Sequence, residues 1–324
     1  MVMPLLAYAK FRVIDADTNE PLTGAYVFNR QGKLLQMTSA DGMVNVAADS
    51  VTISMMSYES QTVDAASQTA DVVLKPKGFD LGEVVVNQND YIKTSAVFRD
   101  AYRNDGKLVL YREGLVDFYY DCKKKKYTRR VRACRQWVDP RLDKMFNFSL
   151  FLGPYRSTHL GKVKFVKRDG VTNVAGDSTY YAAKGGDKDA ILCIADSVHG
   201  TYRAIINGMK LGRIKDNPIY TYNTSISEWT YRSDRQLLSE LVSHHSYVDF
   251  TYRNPVKKFK GMDVMMNSEL MVTAIRSMNK QEAKSEMKDK KETRDFTMPD
   301  LLPMPPFNLE AELQGLKPTK FDEY

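Results

Sequence analysis

The sequence predicts a mostly β protein, with an N-terminal seven-stranded β-sandwich and a larger antiparallel β-sheet or half-barrel domain with one or two helices. Three observations support this prediction. The length of 324 residues exceeds that of most single cores. Short segments rich in Val, Ile and Thr, separated by Gly, Asp or Asn turns, fill the first part of the chain. Longer segments rich in Tyr, Thr and Val follow from Leu108.

The sandwich is assigned to residues 10–77. Polar turns separate its strand candidates, and Asp41-Gly42 is the strongest hairpin signal, because this dipeptide tolerates the left-handed backbone of a two-residue turn. Strands this short are typical of two packed sheets. The candidates in chain order are FRVID, GAYVFN, LLQMTS, MVNVA, SVTISMM, SQTV and ADVVLK.

Residues 78–90 are predicted to be a linker, and residues 91–324 an antiparallel β-rich domain of unknown function. A helix is predicted over residues 90–104, because Ile92, Ala96 and Phe98 fall close to helical spacing and the sequence Asn-Asp-Gly stops it at residues 104–106. LVLYREGLVDFYYDC and KKYTRRVRACRQWV then alternate as the two strands of a hairpin.

Three further segments have helical features. Residues 236–243 could form one short helix, and residues 309–316 a helical turn within an extended Pro-rich arm. Residues 278–295 contain strong helix formers but a scant apolar stripe, which indicates either an exposed helix or a mobile segment.

Four stretches of the N-terminal part, VIDADTNEPLTGAYVF, TSADGMVNV, ISMMSYESQTV and LGEVVV, resemble the carboxypeptidase regulatory-like domain of Bacteroidota envelope proteins. The resemblance covers about a quarter of the chain and implies an immunoglobulin-like or transthyretin-like sandwich. It implies no activity, because a fold does not carry a function. Ser57 and Met43 depart from the family pattern, in which Gly and an aromatic residue are usual. The matching residues are Val13, Asp15, Pro21, Leu22, Gly24, Ala25, Val27, Asp41, Gly42 and Tyr58.

The stretch EGLVDFYYDCKKKKYTRRVRACRQW resembles, more weakly, uncharacterised envelope proteins in which such a domain precedes a half-barrel-like domain. Curved sheets of this kind include the lipoprotein-carrier type, which holds a hydrophobic ligand.

Two activities associated with the first family are not expected here. A zinc peptidase would need H-x-x-E, and no Glu follows His159, His199, His244 or His245 at that spacing. A TonB-dependent receptor would need a plug and a large barrel, and only about 240 residues follow Val86. We therefore predict no metal site and no cofactor.

The sequence Asp15-x-Asp17-x-Asn19 imitates the start of a calcium loop. The sixth and twelfth positions of such a loop should be Gly and Glu, but they are Glu20 and Tyr26. A turn in which Asx side chains bond to their own backbone is the better interpretation.

The formal net charge of +7 and pI near 9.0 favour anionic surroundings. A charged run at residues 280–294 is nearly balanced in sign and is interpreted as a solvated face. A basic hairpin has two interpretations, either capture of phosphate or sulfate groups or a wet hairpin tip that discourages edge pairing. Nucleic acid is not expected, because no groove-reading motif is recognisable. The candidate anion-binding residues of the hairpin are Lys123, Lys124, Lys125, Lys126, Arg129, Arg130 and Arg132.

The three cysteines show no C-x-x-C spacing. A disulfide between Cys122 and Cys134 would require a hairpin centred near Thr128. The lysine run instead favours a turn near Lys124 and Lys125, which would separate the two thiols, and both arrangements stay open.

The first nine residues predict the remnant of a signal peptide. Ala7-Tyr8-Ala9 follows the small-x-small rule of signal peptidase, and an apolar stretch precedes it. The alternative is a first β-strand, although Pro4 suits one poorly. We therefore expect an exported protein in the periplasm or at the outer membrane.

The function predicted from these features is binding or scaffolding in the cell envelope without catalysis. The ligand would be a lipid, a glycan or an envelope protein, and peripheral membrane contact is compatible with the charge. The alternative is a hydrolase with its active site in the C-terminal β domain. Convergent polar side chains in a deep cleft would favour the hydrolase, whereas an apolar concavity or a flat basic face would favour the binding protein. The pair His244-His245 would lie on opposite faces of a strand and could not chelate one ion.

Overall fold

The computed structural model of the chain describes residues 8–77, 91–141, 168–183, 187, 189–196, 200–211, 219–235, 237–253, 261–289, 296–298, 305 and 308–319. These residues form two compact units, of which the first contains all of residues 8–77 and the second contains most of the rest. The described chain is mostly β, with two α-helices. The predicted fold class is confirmed. Most of the predicted signal remnant and the predicted linker at 78–90 lie outside the described residues.

The first unit is a seven-stranded sandwich. One sheet has the strand order β4-β1-β7 and the other the order β3-β2-β5-β6. Strand β1 includes Tyr8 and Ala9, two residues that the sequence assigned to the signal remnant, and Ala9 is buried in the core. The strands are β1 (Tyr8–Asp15), β2 (Tyr26–Asn29), β3 (Leu34–Met37), β4 (Met43–Ala47), β5 (Ser50–Ser54), β6 (Gln61–Asp64) and β7 (Val72–Leu74).

The Asp41-Gly42 turn is present, but it does not close a hairpin. It joins β3 and β4, which belong to different sheets. Gly42 has a φ of +73°, and a Cβ there would lie 2.5 Å from the carbonyl oxygen of Val13. The hairpin prediction was wrong, because a turn with a left-handed residue can connect strands of two different sheets as well as two paired strands of one sheet.

The Asp15 side chain accepts several hydrogen bonds in the turn whose sequence is similar to the start of a calcium loop. Its Oδ1 accepts hydrogen bonds from the backbone N–H groups of Asp17 at 2.7 Å and Thr18 at 2.9 Å. The Tyr58 hydroxyl donates to its Oδ2 at 2.5 Å. The carboxylate thus organises its own turn, as the Asx interpretation predicted.

The second unit contains an eleven-stranded sheet with the order β11-β12-β13-β14-β15-β16-β17-β8-β9-β10-β18. The chain enters in the middle of the sheet at β8, runs to β10, crosses to the far edge at β11 and returns strand by strand until β17 pairs with β8. The strands are β8 (Tyr91–Asn104), β9 (Lys107–Asp121), β10 (Lys126–Val138), β11 (Arg168–Ala175), β12 (Ser178–Ala183), β13 (Ile191–Asp196), β14 (Thr201–Asn207), β15 (Tyr220–Tyr231), β16 (Leu241–Tyr252), β17 (Met262–Met278) and β18 (Lys317–Thr319).

The helix predicted over residues 90–104 is wrong, because this segment is strand β8. Side chains on both of its faces are buried, for example Phe98 and Ala101, so its apolar residues do not alternate and imitate helical spacing. The helix predicted over residues 236–243 shrinks to a 3₁₀ turn at Leu238–Glu240, after which β16 begins.

The sheet has two chemically different faces. The apolar face carries Phe98, Phe118, Leu270 and Trp229, which belong to one cluster of apolar side chains. The opposite face, called the charged face below, carries buried ionic residues such as Glu269. Alternation along each strand assigns neighbouring residues to opposite faces.

Helix α1 (Lys280–Lys288) lies on the charged face. Asn279 caps its N-terminus by accepting the backbone N–H of Glu282 at 2.9 Å. Its buried Ala283 packs with Tyr91, Tyr119 and Met278. Of the two interpretations of residues 278–295, the exposed helix is the one observed for residues 280–288.

Helix α2 (Leu309–Glu312) confirms the predicted helical turn, and β18 continues as the extended arm, pairing with the edge strand β10. Among the described residues, no helix is long and apolar enough to span a lipid bilayer.

Cys122, Cys134 and Cys193 all lie within the described residues and form no disulfide. The β9–β10 turn occupies residues 122–125, and Cys134 lies opposite Gly114 in the hairpin. The disulfide arrangement is therefore wrong and the turn at the lysine run is confirmed.

Candidate basic binding surface

The tip of the β9–β10 hairpin presents four exposed lysines, Lys123 to Lys126. The Asp121 carboxylate lies beneath them, and its Oδ1 accepts the backbone N–H groups of Lys123 at 3.0 Å and Lys124 at 2.9 Å. The hydroxyl of Tyr91 donates to its Oδ2 at 2.9 Å. These hydrogen bonds, chiefly that from the Lys124 amide, lower the pKa of Asp121. The acid of this turn thus faces the backbone, while its lysines face solvent.

The three predicted arginines do not join this tip. Arg130 donates from Nη1 to the backbone oxygen of Glu286 at 2.7 Å. Arg132 places Nε 2.9 Å from Oδ2 of the buried Asp117, close enough for an ion pair although not aligned as a hydrogen bond. Arg129 lies opposite Phe118 and so on the apolar side of the sheet. The structure therefore keeps together four of the seven predicted anion-binding residues.

The acidic residues of helix α1 turn toward the sheet. Glu286 pairs with Lys93 at 2.7 Å and also with Arg276. Glu282 pairs with Arg276 at 2.6 Å. Burial raises the pKa of Glu286, but Lys93 and Arg276 outweigh it and lower that pKa overall. Lys93 also lies 3.0 Å from Asp117. This network fixes the helix on the charged face.

The outer face of α1 carries no acid. It consists of exposed side chains, and successive lysines lie one helical turn, about 6 Å, apart. Among the described residues, none of its lysines has an ion-pair partner. The residues of this face are Lys280, Gln281, Lys284, Ser285 and Lys288.

Two contacts connect α1 with the hairpin. Tyr91 packs in the same cluster as Ala283 and bonds to Asp121, which caps the lysine turn. Arg130 of β10 reaches the last turn of α1 at Glu286. The tip lysines and the outer face of α1 together are called the basic surface below.

Sequence reasoning missed the contribution of α1, because the run at residues 280–294 is balanced in sign when it is read as a string. The spacing of Lys280, Lys284 and Lys288 at i, i+4 and i+8 was the available signal, since such residues share one face of a helix.

A second polar feature is a row of six side chains on the charged face. These residues lie directly opposite one another on six adjacent strands, β15, β16, β17, β8, β9 and β10. Three ion pairs of 2.6 Å neutralise the row, namely Arg203–Glu228, Arg99–Glu269 and Arg135–Glu113. The row consists of Glu228, His245, Glu269, Arg99, Glu113 and Arg135.

The two adjacent histidines lie on opposite faces of β16, as predicted. His244 packs against Trp229 with ring centroids 4.8 Å apart, whereas His245 lies in the ionic row between Glu228 and Glu269. Burial lowers the pKa of His244 to about 3 and that of His245 to about 4, although Glu228 opposes both shifts. Both rings are neutral near pH 7. The described residues hold no group of three or more His, Cys, Asp or Glu side chains arranged to bind a metal ion.

Comparisons with known proteins add little. No family model and no curated protein matches the chain. One solved structure with some similarity is titled "Lipid-protein interactions in lipovitellin", with 7% sequence identity, 68% of this chain covered and a TM-score of 0.25. The chain spans only 28% of that protein's length. At that TM-score the similarity supports no argument about fold or function.

Proposed function

We propose that this chain is an exported cell-envelope protein that binds or scaffolds without catalysis, and that it holds an anionic envelope component at the basic surface. One observation carries the proposal, which is the difference in pairing between acids and lysines. Asp121, Glu282 and Glu286 are engaged in hydrogen bonds or ion pairs with the backbone or with the sheet, while the lysines of the same turn and helix are exposed. Such a surface attracts anions over about a Debye length, roughly 8 Å at physiological salt.

The resemblance to envelope domains supports the location. The small-x-small motif supports it less, because Tyr8 and Ala9 belong to strand β1 and Ala9 is buried in the core. Within the described part of the second unit, no specific observation favours the alternative of a hydrolase.

Two measurements test the proposal. N-terminal sequencing of the protein from envelope and cytoplasmic fractions of its host tests export, and recovery only from the cytoplasm would contradict it.

Binding of the purified chain to immobilised polyphosphate and dextran sulfate tests anion capture. We expect the Lys123→Gln, Lys124→Gln, Lys125→Gln and Lys126→Gln variant to bind more weakly. A matched control replaces four exposed lysines elsewhere by Gln, namely Lys10, Lys75, Lys107 and Lys317. Equal weakening by both sets would show a net-charge effect without a site.

A further inference from the structure

We infer that the basic surface is built to lie flat on the phosphate layer of an anionic lipid bilayer, held by charge and without inserting side chains among the acyl chains. The inference rests on the proposed anion-binding function and names the anion as lipid headgroups. It assigns the membrane contact to α1, which the sequence interpretation treated as a solvated face.

The orientation of α1 carries the first step. Helices that embed in a membrane interface place their apolar face in the lipid. In α1 the apolar Ala283 and Met287 pack against the sheet with Tyr91 and Tyr119. Its outward residues are lysines, Gln281 and Ser285, all exposed. Contact through this face is therefore electrostatic.

The spread of the lysines carries the second step. Lys280 and Lys288 are eight residues apart on the helix, which corresponds to about 12 Å. The four tip lysines add a second group of exposed cations, at the β9–β10 turn that Tyr91 and Arg130 connect with α1. A single phosphate would need donors that converge on one point. Lysines spread along a helix and a hairpin turn match an extended layer of phosphates better.

Repulsion within α1 carries the third step. Like charges at i and i+4 destabilise a helix, and Lys280, Lys284 and Lys288 form two such pairs. The acids between them, Glu282 and Glu286, form ion pairs with cations of the sheet instead. An anionic layer in front of the helix would relieve this repulsion. Each lysine near an anionic membrane adds roughly a fivefold gain in binding.

The test is co-sedimentation of the full chain with vesicles of phosphatidylethanolamine alone or mixed with phosphatidylglycerol, over a series of salt concentrations. We expect binding only with phosphatidylglycerol, and loss of binding as salt rises. The triple variants Lys280→Gln/Lys284→Gln/Lys288→Gln and Lys123→Gln/Lys124→Gln/Lys125→Gln should each weaken binding on the order of 100-fold. The control Lys10→Gln/Lys75→Gln/Lys107→Gln should bind as the unchanged chain does.

The outcomes separate this inference from the proposed function. If the chain binds polyphosphate through the tip lysines but ignores anionic vesicles, the lipid inference is overturned and anion binding stands. If the tip variant loses vesicle binding and the α1 variant does not, the role of α1 is overturned. Binding that persists at high salt or on phosphatidylethanolamine alone would show insertion and overturn the electrostatic contact. If the chain binds neither vesicles nor soluble polyanions, both proposals fail.

Discussion

The guanidinium of Arg99 lies 2.6 Å from Oε2 of Glu269, a residue directly opposite it on the neighbouring strand. The side chains are only 13% and 1% exposed. Buried charges are tolerated where they are paired, so this contact explains how a row of ionic side chains can cross the interior of a sheet face.

Removing one partner of this pair should cost far more than removing both. We expect Arg99→Met to lower the free energy of unfolding by about 3–5 kcal/mol, because Glu269 would stay buried without its cation, and Arg99→Met/Glu269→Met to cost less. Urea unfolding of the single and double variants measures both effects.

The exposed pair Arg12–Asp71, with side chains 43% and 38% exposed, provides a matched control. Arg12→Met should cost far less than Arg99→Met, because water screens an exposed ion pair. Similar losses for Arg12→Met and Arg99→Met would contradict the importance of burial.

The stability of the protein should depend on pH through its two neutral histidines. The pKa values of His244 and His245, about 3 and about 4, lie below the ordinary 6.5. Below about pH 6.5 the unfolded chain therefore binds more protons than the folded chain does. As a result, the free energy of unfolding decreases when the pH is lowered. At pH 5 each ring should account for a loss of about 2 kcal/mol. Urea unfolding at several pH values should show a smaller slope for His244→Phe and for His245→Gln. An unchanged slope would mean that these rings protonate freely in the folded state.

Gly114 should tolerate no side chain. A Cβ there would lie 2.1 Å from the backbone oxygen of Ala133 and 2.8 Å from the Phe98 ring. We expect Gly114→Ala to cost about 3 kcal/mol or more, since β9 and β10 would have to separate. Gly261→Ala is the comparison, because its nearest contact is the Thr251 methyl group at 3.1 Å. Thermal unfolding of the two variants should rank them in that order, and equal midpoints would contradict the close approach.

The bond from Tyr58 to Asp15 should support the sandwich. Tyr58→Phe removes the donor to a carboxylate oxygen in the core and should cost about 1–3 kcal/mol. Calcium should not raise the unfolding midpoint of the unchanged chain, because Asp15 already bonds to its own turn. A midpoint that rises with calcium would restore the calcium-loop interpretation.

Turn chemistry was readable from the sequence wherever the signal is local. The Asp15 turn and the lysine turn of the β9–β10 hairpin lie where local patterns put them, because short side chains and left-handed residues define a turn within a few positions. The prediction for strand β8 was wrong, because burial of both faces removes the alternation of apolar and polar residues that marks a strand. Only the pairing with β17 and β9 identifies this segment as a strand.

By itself the sequence determined the β class, the sandwich and the position of the basic hairpin, since alternation and turn residues act over short distances. Tertiary structure alone decided how the charge is distributed. Glu282 and Glu286 are close to Lys284 in the chain, yet they pair with Arg276 and Lys93 of the sheet. A run of residues whose charges nearly balance in the sequence thus becomes a helix whose acids pair with cations of the sheet and whose lysines face solvent. The physical reason is that Lys93, one of the cations that compensate Glu286, lies on a strand 193 residues away in the sequence, and only folding brings the two side chains together.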